Sequence, residues 1–218
     1  MELYSYGDHA AMIAFNEPAH LELTHRLLQL RTYALQIPGV INALIGYTTV
    51  LVEWDPVSAD PEMIMQDLRD WRSEDIQGNR PSRHWQIPVF YGGTNGPDLN
   101  HVAKYHHITP GEVIALHSRR PYPIYCLGFS LGFAYLGGLP ETLHTPRRTS
   151  PRIRVPKGSV AIGGHQTGVY PSDSPGGWHI IGRTPIQLTN PAHKPPVSYI
   201  PGDTIEFVPV QGLQDLNS

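Results

Sequence analysis

Short apolar runs at residues 1–6 and 10–15, separated by Gly7-Asp8, predict two strands and a turn. Leu23, Leu27, Leu30, Ala34 and Ile37 then recur at spacings of four, three, four and three, which is one face of an amphipathic helix. Pro18 suits its first position and Pro38-Gly39 its end. Residues 40–45 and 47–54 are β-branched and aromatic, broken at Gly46, and predict a strand pair. Asp60-Pro61 caps a second helix whose apolar face is Ile64, Leu68 and Trp71. A loop at 78–82 and a strand at 84–91 follow, and residues 92–97 form a Gly-rich loop that reads as the domain boundary. Residues 1–91 thus read as a ferredoxin-like α+β domain.

Beyond residue 97 the pattern changes. Asp98 is placed to cap a helix running to about His107, and Thr109-Pro110-Gly111-Glu112 spells a capping box for another that ends near His117. Residues 122–129 look like a strand. After residue 127 no helical period lasts ten residues. Short apolar pieces alternate with Gly and Pro at 134–136, 153–155, 160–162, 178–182 and 186–188, and 198–210 carries a Pro201-Gly202-Asp203 turn with Ile205 and Phe207 in alternation. Residues 92–218 are therefore expected to form an all-β barrel or sandwich.

Composition adds to this picture mainly by locating charge. The chain of 218 residues carries a net charge of −3, yet residues 127–185 hold six basic and two acidic side chains and 11 of the 21 glycines. A glycine-rich basic surface in an acidic chain suits an anionic ligand, because glycine lets a ligand or a second backbone approach closely. The 22 prolines favour turns and short strands. No run approaches 18 apolar residues, so no membrane span is expected, and no export signal is read at the N-terminus. With a single cysteine, Cys126, and no export signal, a cytoplasmic location is expected. The mild acidity gives no case for nucleic acid.

Candidate chemistry concentrates in the basic stretch. Arg147 and Arg148 can clamp a carboxylate or phosphate, or form a solvated surface pair. The segment 163–168, Gly-Gly-His-Gln-Thr-Gly, is either a ligand-binding loop or a glycine hairpin. Trp178, after Gly176-Gly177, is a core plug or a pocket wall. His117 is a candidate general base. His101, His106 and His107 lack the spacing of a metal site, and none is expected. No Walker loop, dinucleotide fingerprint or HExxH is present, nor is a nucleophile elbow read. The chain reads as half of an enzyme or as a binding module.

The segments Gly128–Leu136 (GFSLGFAYL), Thr145-Pro146-Arg147-Arg148, Pro151-Arg152, Val155-Pro156-Lys157-Gly158-Ser159-Val160, Gln166–Pro171 (QTGVYP), Pro175-Gly176-Gly177-Trp178 and Gly182-Arg183-Thr184 resemble one family throughout. It is the family of the B component of bacterial 5-oxoprolinase, also called allophanate hydrolase subunit 1 or KipI-like proteins. Gly96-Pro97-Asp98-Leu99 and the Pro201-Gly202-Asp203 turn match as well, so the resemblance spans nearly the full length. It implies an α+β domain followed by a cyclophilin-like β-barrel. It also implies two partners. One is the C component of 5-oxoprolinase, a second cyclophilin-like protein that completes a shared cleft, and the other is the A component. The activity implied is ATP-driven hydrolysis of 5-oxo-L-proline to L-glutamate, with this chain inactive alone. ATP would phosphorylate the lactam oxygen and water would attack the activated carbon. On this resemblance Arg147, Arg148 and Arg152 face the substrate carboxylate or the phosphate. Gln166, Thr167 and Tyr170 hydrogen-bond the lactam, Trp178 walls the pocket, and His117 is the base. Other members inhibit a sensor histidine kinase or belong to urea carboxylase, and these remain the alternatives. The family usually has proline where this chain has Leu131.

Overall fold

The computed structural model describes residues 1–72 and 81–211. The expected loop at 78–82 therefore lies largely outside the described residues. The chain forms two compact units, Met1–Pro81 and Ser82–Ser218.

The first unit contains strands β1 (Glu2–Ser5), β2 (Ala10–Ala14), β3 (Val40–Ile45) and β4 (Thr49–Trp54), with helices α1 (Leu21–Ala34) and α2 (Pro61–Asp70). The sheet is antiparallel in the order β1-β2-β4-β3. The helical face read from the sequence is the one that is buried: Leu23, Leu27, Leu30 and Ala34 pack with Ala11 and Ile13 of β2 and Val50, Val52 and Trp54 of β4. Ile64 and Leu68 of α2 join them. Each such aliphatic side chain contributes about 1.5–3 kcal/mol. Helix α1 starts three residues later than Pro18 suggests, because His20 is its cap and accepts the Leu23 N–H through Nδ1. Asp60 caps α2 as expected.

The second unit is a closed seven-stranded barrel. Its order is β10-β7-β6-β13-β5-β12-β9, with β9 pairing back to β10. The strands are β5 (His84–Tyr91), β6 (Tyr122–Leu127), β7 (Ala134–Leu136), β9 (Ser159–Gly163), β10 (Gln166–Val169), β12 (His179–Arg183) and β13 (Thr204–Pro209). A separate two-stranded antiparallel sheet of β8 (Arg152–Val155) and β11 (Ser174–Gly176) lies apart from the barrel ladder. Residues 186–188, read as a strand, form none. Strand β5 is the main departure from the sequence reading, which ends the first domain at residue 91. It runs parallel to β13 over six residue pairs and antiparallel to β12. In the first sheet the edge beside β2 is occupied by β1.

Alternation sets the inside of the barrel. Ile87, Val89, Tyr122, Ile124, Val160, Ile162, Ile205 and Phe207 form one buried core, closed by residues of α3 (Leu99–Tyr105) and α4 (Pro110–Ser118). The capping box of α4 is present, with Thr109 and Glu112 exchanging bonds. Strand β9 is buried on both faces. Its outer face is covered by a second cluster of Phe133, Val155, Ala161, Tyr170, Trp178 and Ile180, with Tyr135 packed against it.

Candidate functional site

Two groups of candidate residues separate at the barrel wall. His117 and Thr167 lie inside. Thr167 donates its hydroxyl to Ala161 O (3.0 Å), so it accepts at 2.7 Å from His117 Nε2–H. The other ring nitrogen, Nδ1, then accepts from the Tyr91 hydroxyl at 2.7 Å. The imidazole also stacks on Phe207 with centroids 4.6 Å apart. Burial lowers its pKa to about 3. His117 is thus a neutral, fully engaged core histidine and is removed as a base for an external substrate. Thr167 is removed from the lactam contacts for the same reason, since its hydroxyl is spent within the barrel.

Gln166 is one residue away, so its side chain faces outward, on the face where a Cβ at its cross-strand partner Gly163 would meet Trp178. The segment 163–168 is a hairpin, with Gly164 at positive φ in its two-residue turn. Glycine at 163 is required by Trp178: a Cβ there would stand 2.4 Å from the indole ring. The ring lies buried against the outer wall, edge-on to Phe133 at 5.5 Å and Tyr170 at 6.5 Å. Trp178 is therefore both plug and wall. The exposed Arg147 guanidinium sits over it, 5.9 Å from the ring centroid. A contact of this kind is worth roughly 0.5–1 kcal/mol at an exposed site, and it presents the cation outward.

Two tyrosines face the same charge. Burial raises the Tyr135 hydroxyl pKa, the neighbouring Cys126 raises it further, and the Arg147 guanidinium opposes both. Tyr170 is likewise raised by burial, against the Trp178 backbone N–H and the charges of Arg147 and Arg152. Tyr135 packs on the same wall beside Trp178, and the sequence reading did not single it out. Its only signal was that, on β7, it alternates with the inward-facing Ala134 and Leu136. Cys126, paired with Tyr135, is pushed up to about 11 by burial, which leaves an unreactive thiol.

Arg148 and Arg152 differ from Arg147. Both donate to one oxygen of Asp98, at 3.2 and 2.8 Å. The structure thus shows an arginine pair held by a shared carboxylate rather than two free cations. Asp98 is buried and provides no side-chain cap for α3, contrary to its sequence role. Its other oxygen accepts the Ile180 N–H at 2.7 Å, and its own N–H donates to Ile180 O at 2.9 Å. Burial alone would raise its pKa, but the Arg152 hydrogen bond, the Ile180 N–H and both guanidinium charges outweigh it and hold the carboxyl below its ordinary value. Gly96 makes this approach possible, since a Cβ there would meet Ile181 O at 2.0 Å.

An open depression of about 450 Å³ lies beside the pair, lined by His101, Tyr105, residues 145–150 and His179. His179 donates Nε2–H to Pro146 O at 2.8 Å and stacks on His101 at 4.8 Å. His106 is bonded to Thr145 at 3.1 Å. Among the described residues no three His, Cys, Asp or Glu side chains converge as metal ligands. No helix among them is long and apolar enough to cross a membrane.

The letters of a Gly-x-Ser-x-Gly elbow do occur, at 128–132. The structure makes them a turn between β6 and β7 rather than a strand-to-helix elbow, with Ser130 Oγ buried. Leu131 is exposed in this turn, which is held by Phe133 N–H to Ser130 O and Gly128 N–H to Phe133 O.

With the geometry in place, comparison with known proteins is decisive. Residues 1–199 match the family model described as carboxyltransferase domain, subdomain C and D. The chain is 41% identical over 210 residues to the B component of 5-oxoprolinase from Escherichia coli O157:H7, covering 94% of both chains. The chain belongs to the family of 5-oxoprolinase B components. It is 40% identical over 220 residues to the B component of 5-oxoprolinase from Haemophilus influenzae, covering 98% of this chain and all of that one. The solved structure of TTHA0988 superposes with a TM-score of 0.81 at 32% identity, over 93% of this chain and 40% of that longer one. This chain and TTHA0988 thus share one fold over the superposed length.

Filling the space that Gly163 leaves for Trp178 is expected to disturb the outer wall of the barrel directly. Gly163→Ala should cost about 1–3 kcal/mol through overpacking, measured as a lower melting temperature. An unchanged melting point would show that the indole moves aside freely.

Proposed function

We propose that this chain is the B component of an ATP-dependent 5-oxoprolinase, acting with the A and C components to hydrolyse 5-oxo-L-proline to L-glutamate, and inactive alone. The observation that carries the reading is the outer wall of the barrel. There Arg147 stands over Trp178 and beside Tyr135 and Tyr170, next to the Arg148–Arg152 pair, in a chain about 40% identical to proteins of that name. The N-terminal unit is read as a ferredoxin-like variant whose edge strand is supplied by β1, and the barrel as cyclophilin-like. The domains are then placed with β5 in the barrel, and the protein in the cytoplasm.

The chemistry asks for cations more than for a nucleophile. A lactam oxygen is a poor leaving group until ATP phosphorylates it, and positioning with electrostatic stabilisation is the main lever in phosphoryl transfer. Arg147 meets the phosphate, Arg148 and Arg152 meet the substrate carboxylate, and Gln166 and Tyr170 supply hydrogen bonds to the ring amide. ATP itself is assigned to a site shared with or held by a partner protein. With His117 inside the barrel, the outer wall lacks that acid–base residue, so proton transfer is assigned to the facing C component.

Reconstitution with the A and C components tests the reading. ATP-dependent glutamate release from 5-oxoproline is expected, and Arg147→Ala should lower turnover about 10–100-fold, in line with loss of one charge-stabilising group. A folded, assembled Arg147→Ala complex with unchanged turnover removes Arg147 from the site. A well-formed wild-type complex without turnover removes the enzyme reading and favours a regulatory one.

A further inference from the structure

Arg148 and Arg152 bring two guanidinium charges to the same oxygen of Asp98. Two like charges so close repel, and on a half-exposed surface they would separate into solvent. A single negative charge between them converts that repulsion into two charge-assisted hydrogen bonds, which are shorter and stronger than neutral ones. The carboxylate itself does not move, because its second oxygen and its own N–H are both tied to Ile180 of β12.

We propose that Asp98 is the positioning residue of the anion-binding arginines: it touches no substrate, fixes where the Arg148 guanidinium stands in the lining of the depression, and holds that of Arg152 beside it. Three features support this role. First, Asp98 stands where a helix cap is expected and gives α3 no cap bond, so its local function has been exchanged for a tertiary one. Second, Arg148 is held a second time, by its backbone N–H to Gly177 O at 2.8 Å, and Arg152 opens β8, so both guanidiniums extend from anchored backbone. Third, a carboxylate is the group that meets the requirement. Asparagine has one oxygen: if it faces the arginines its NH₂ meets the Ile180 N–H, and if it faces Ile180 its NH₂ meets the guanidiniums. Glutamate is one methylene longer and would shift its carboxylate away from the Ile180 N–H that Asp98 now meets at 2.7 Å.

One Asp neutralises one of the two arginines, so the pair keeps a net positive charge with Arg147 beside it. The occupant is then a small anion carrying a carboxylate, and the inference rests on the reading of this wall as the 5-oxoproline site.

The experiment compares Asp98→Asn, Arg148→Gln and the double variant in the reconstituted complex, with melting curves for each chain. Asp98→Asn is expected to raise KM for 5-oxoproline about 10-fold with kcat within about 3-fold, the signature of lost ground-state binding. In the Arg148→Gln background the same change should cost less than about 3-fold, because no like-charged pair remains to be held; residues acting through one another are non-additive. Equal factors in both backgrounds would make Asp98 a structural residue only and overturn the proposal. If Asp98→Asn alone fails to fold while the double variant folds, charge repulsion is the cause and the proposal stands. If neither folds, it is overturned. Absence of turnover in the wild-type complex defeats the 5-oxoprolinase reading first, and this inference with it.

Discussion

His117→Gln is expected to cost the barrel about 1–3 kcal/mol at pH 7 and to abolish much of its sensitivity to mild acid. The loss at neutral pH follows from the Tyr91 hydroxyl, which is left in a buried place without the Nδ1 acceptor it now has. The pH effect follows from linkage. In the unfolded chain His117 titrates near the ordinary value of 6.5, and in the fold burial lowers this to about 3. Between these values the unfolded state binds a proton that the folded state does not. Stability is therefore complete above about pH 6.5 and falls as pH drops towards 3, by up to about 1.4 kcal/mol per unit. The Asp98 carboxyl, also depressed, adds its own loss only at lower pH, below its ordinary value of 3.8. Urea unfolding at several pH values measures both effects. The wild-type and variant stabilities should converge by about pH 5. Parallel curves would mean that His117 is not the buried neutral group described here.

Trp178→Ala should be the most damaging single change on the outer wall. The indole fills the space beside Gly163 and Gly168 and lies edge-on to Phe133, Tyr135 and Tyr170. Truncating a buried aromatic of this kind costs about 3–5 kcal/mol, through lost transfer energy and the cavity left behind. It also removes the surface over which Arg147 is held, so activity should fall further than in Arg147→Ala alone. Trp178→Phe keeps an aromatic face and is expected to recover more than half of the lost stability. Denaturant unfolding decides: a cost below about 1 kcal/mol for the alanine variant would show that the ring is only a lid over an already complete wall.

The two predictions fall on opposite sides of one β-hairpin, and that division was hidden in the sequence. Gln166 and Thr167 are neighbours in a motif that looks like a single binding loop. Once the segment is a strand, period-two alternation sends one to the outer wall and the other into the core. The sequence offers the same 163–168 segment as loop or hairpin, because glycine permits both. Only pairing with β9 selects the hairpin. The arginines show a similar effect. Arg147, Arg148 and Arg152 look alike as basic residues of one stretch. Their different environments depend on Asp98, some fifty residues earlier in the chain, which local reasoning assigns to a helix end.

Much of what depends on local pattern and on family was legible in the order of residues alone. The helix faces of α1 and α2, the capping box of α4, the change from α+β to all-β character and the basic glycine-rich stretch follow from spacing and turn chemistry. The motif set identified the family. Long-range contacts settled which strand belongs to which sheet and which polar side chain meets which partner. The sequence reading takes strand β5 as the last strand of the first unit, since its apolar pattern alone does not name its partners. Barrel closure between β13 and β12 places it. His117 looks like a base until the barrel closes around it, and Asp98 looks like a cap until β12 supplies it with a better partner. One cause underlies all three: strand pairing, burial and ion pairing act between residues distant in sequence, and their energies override local preference.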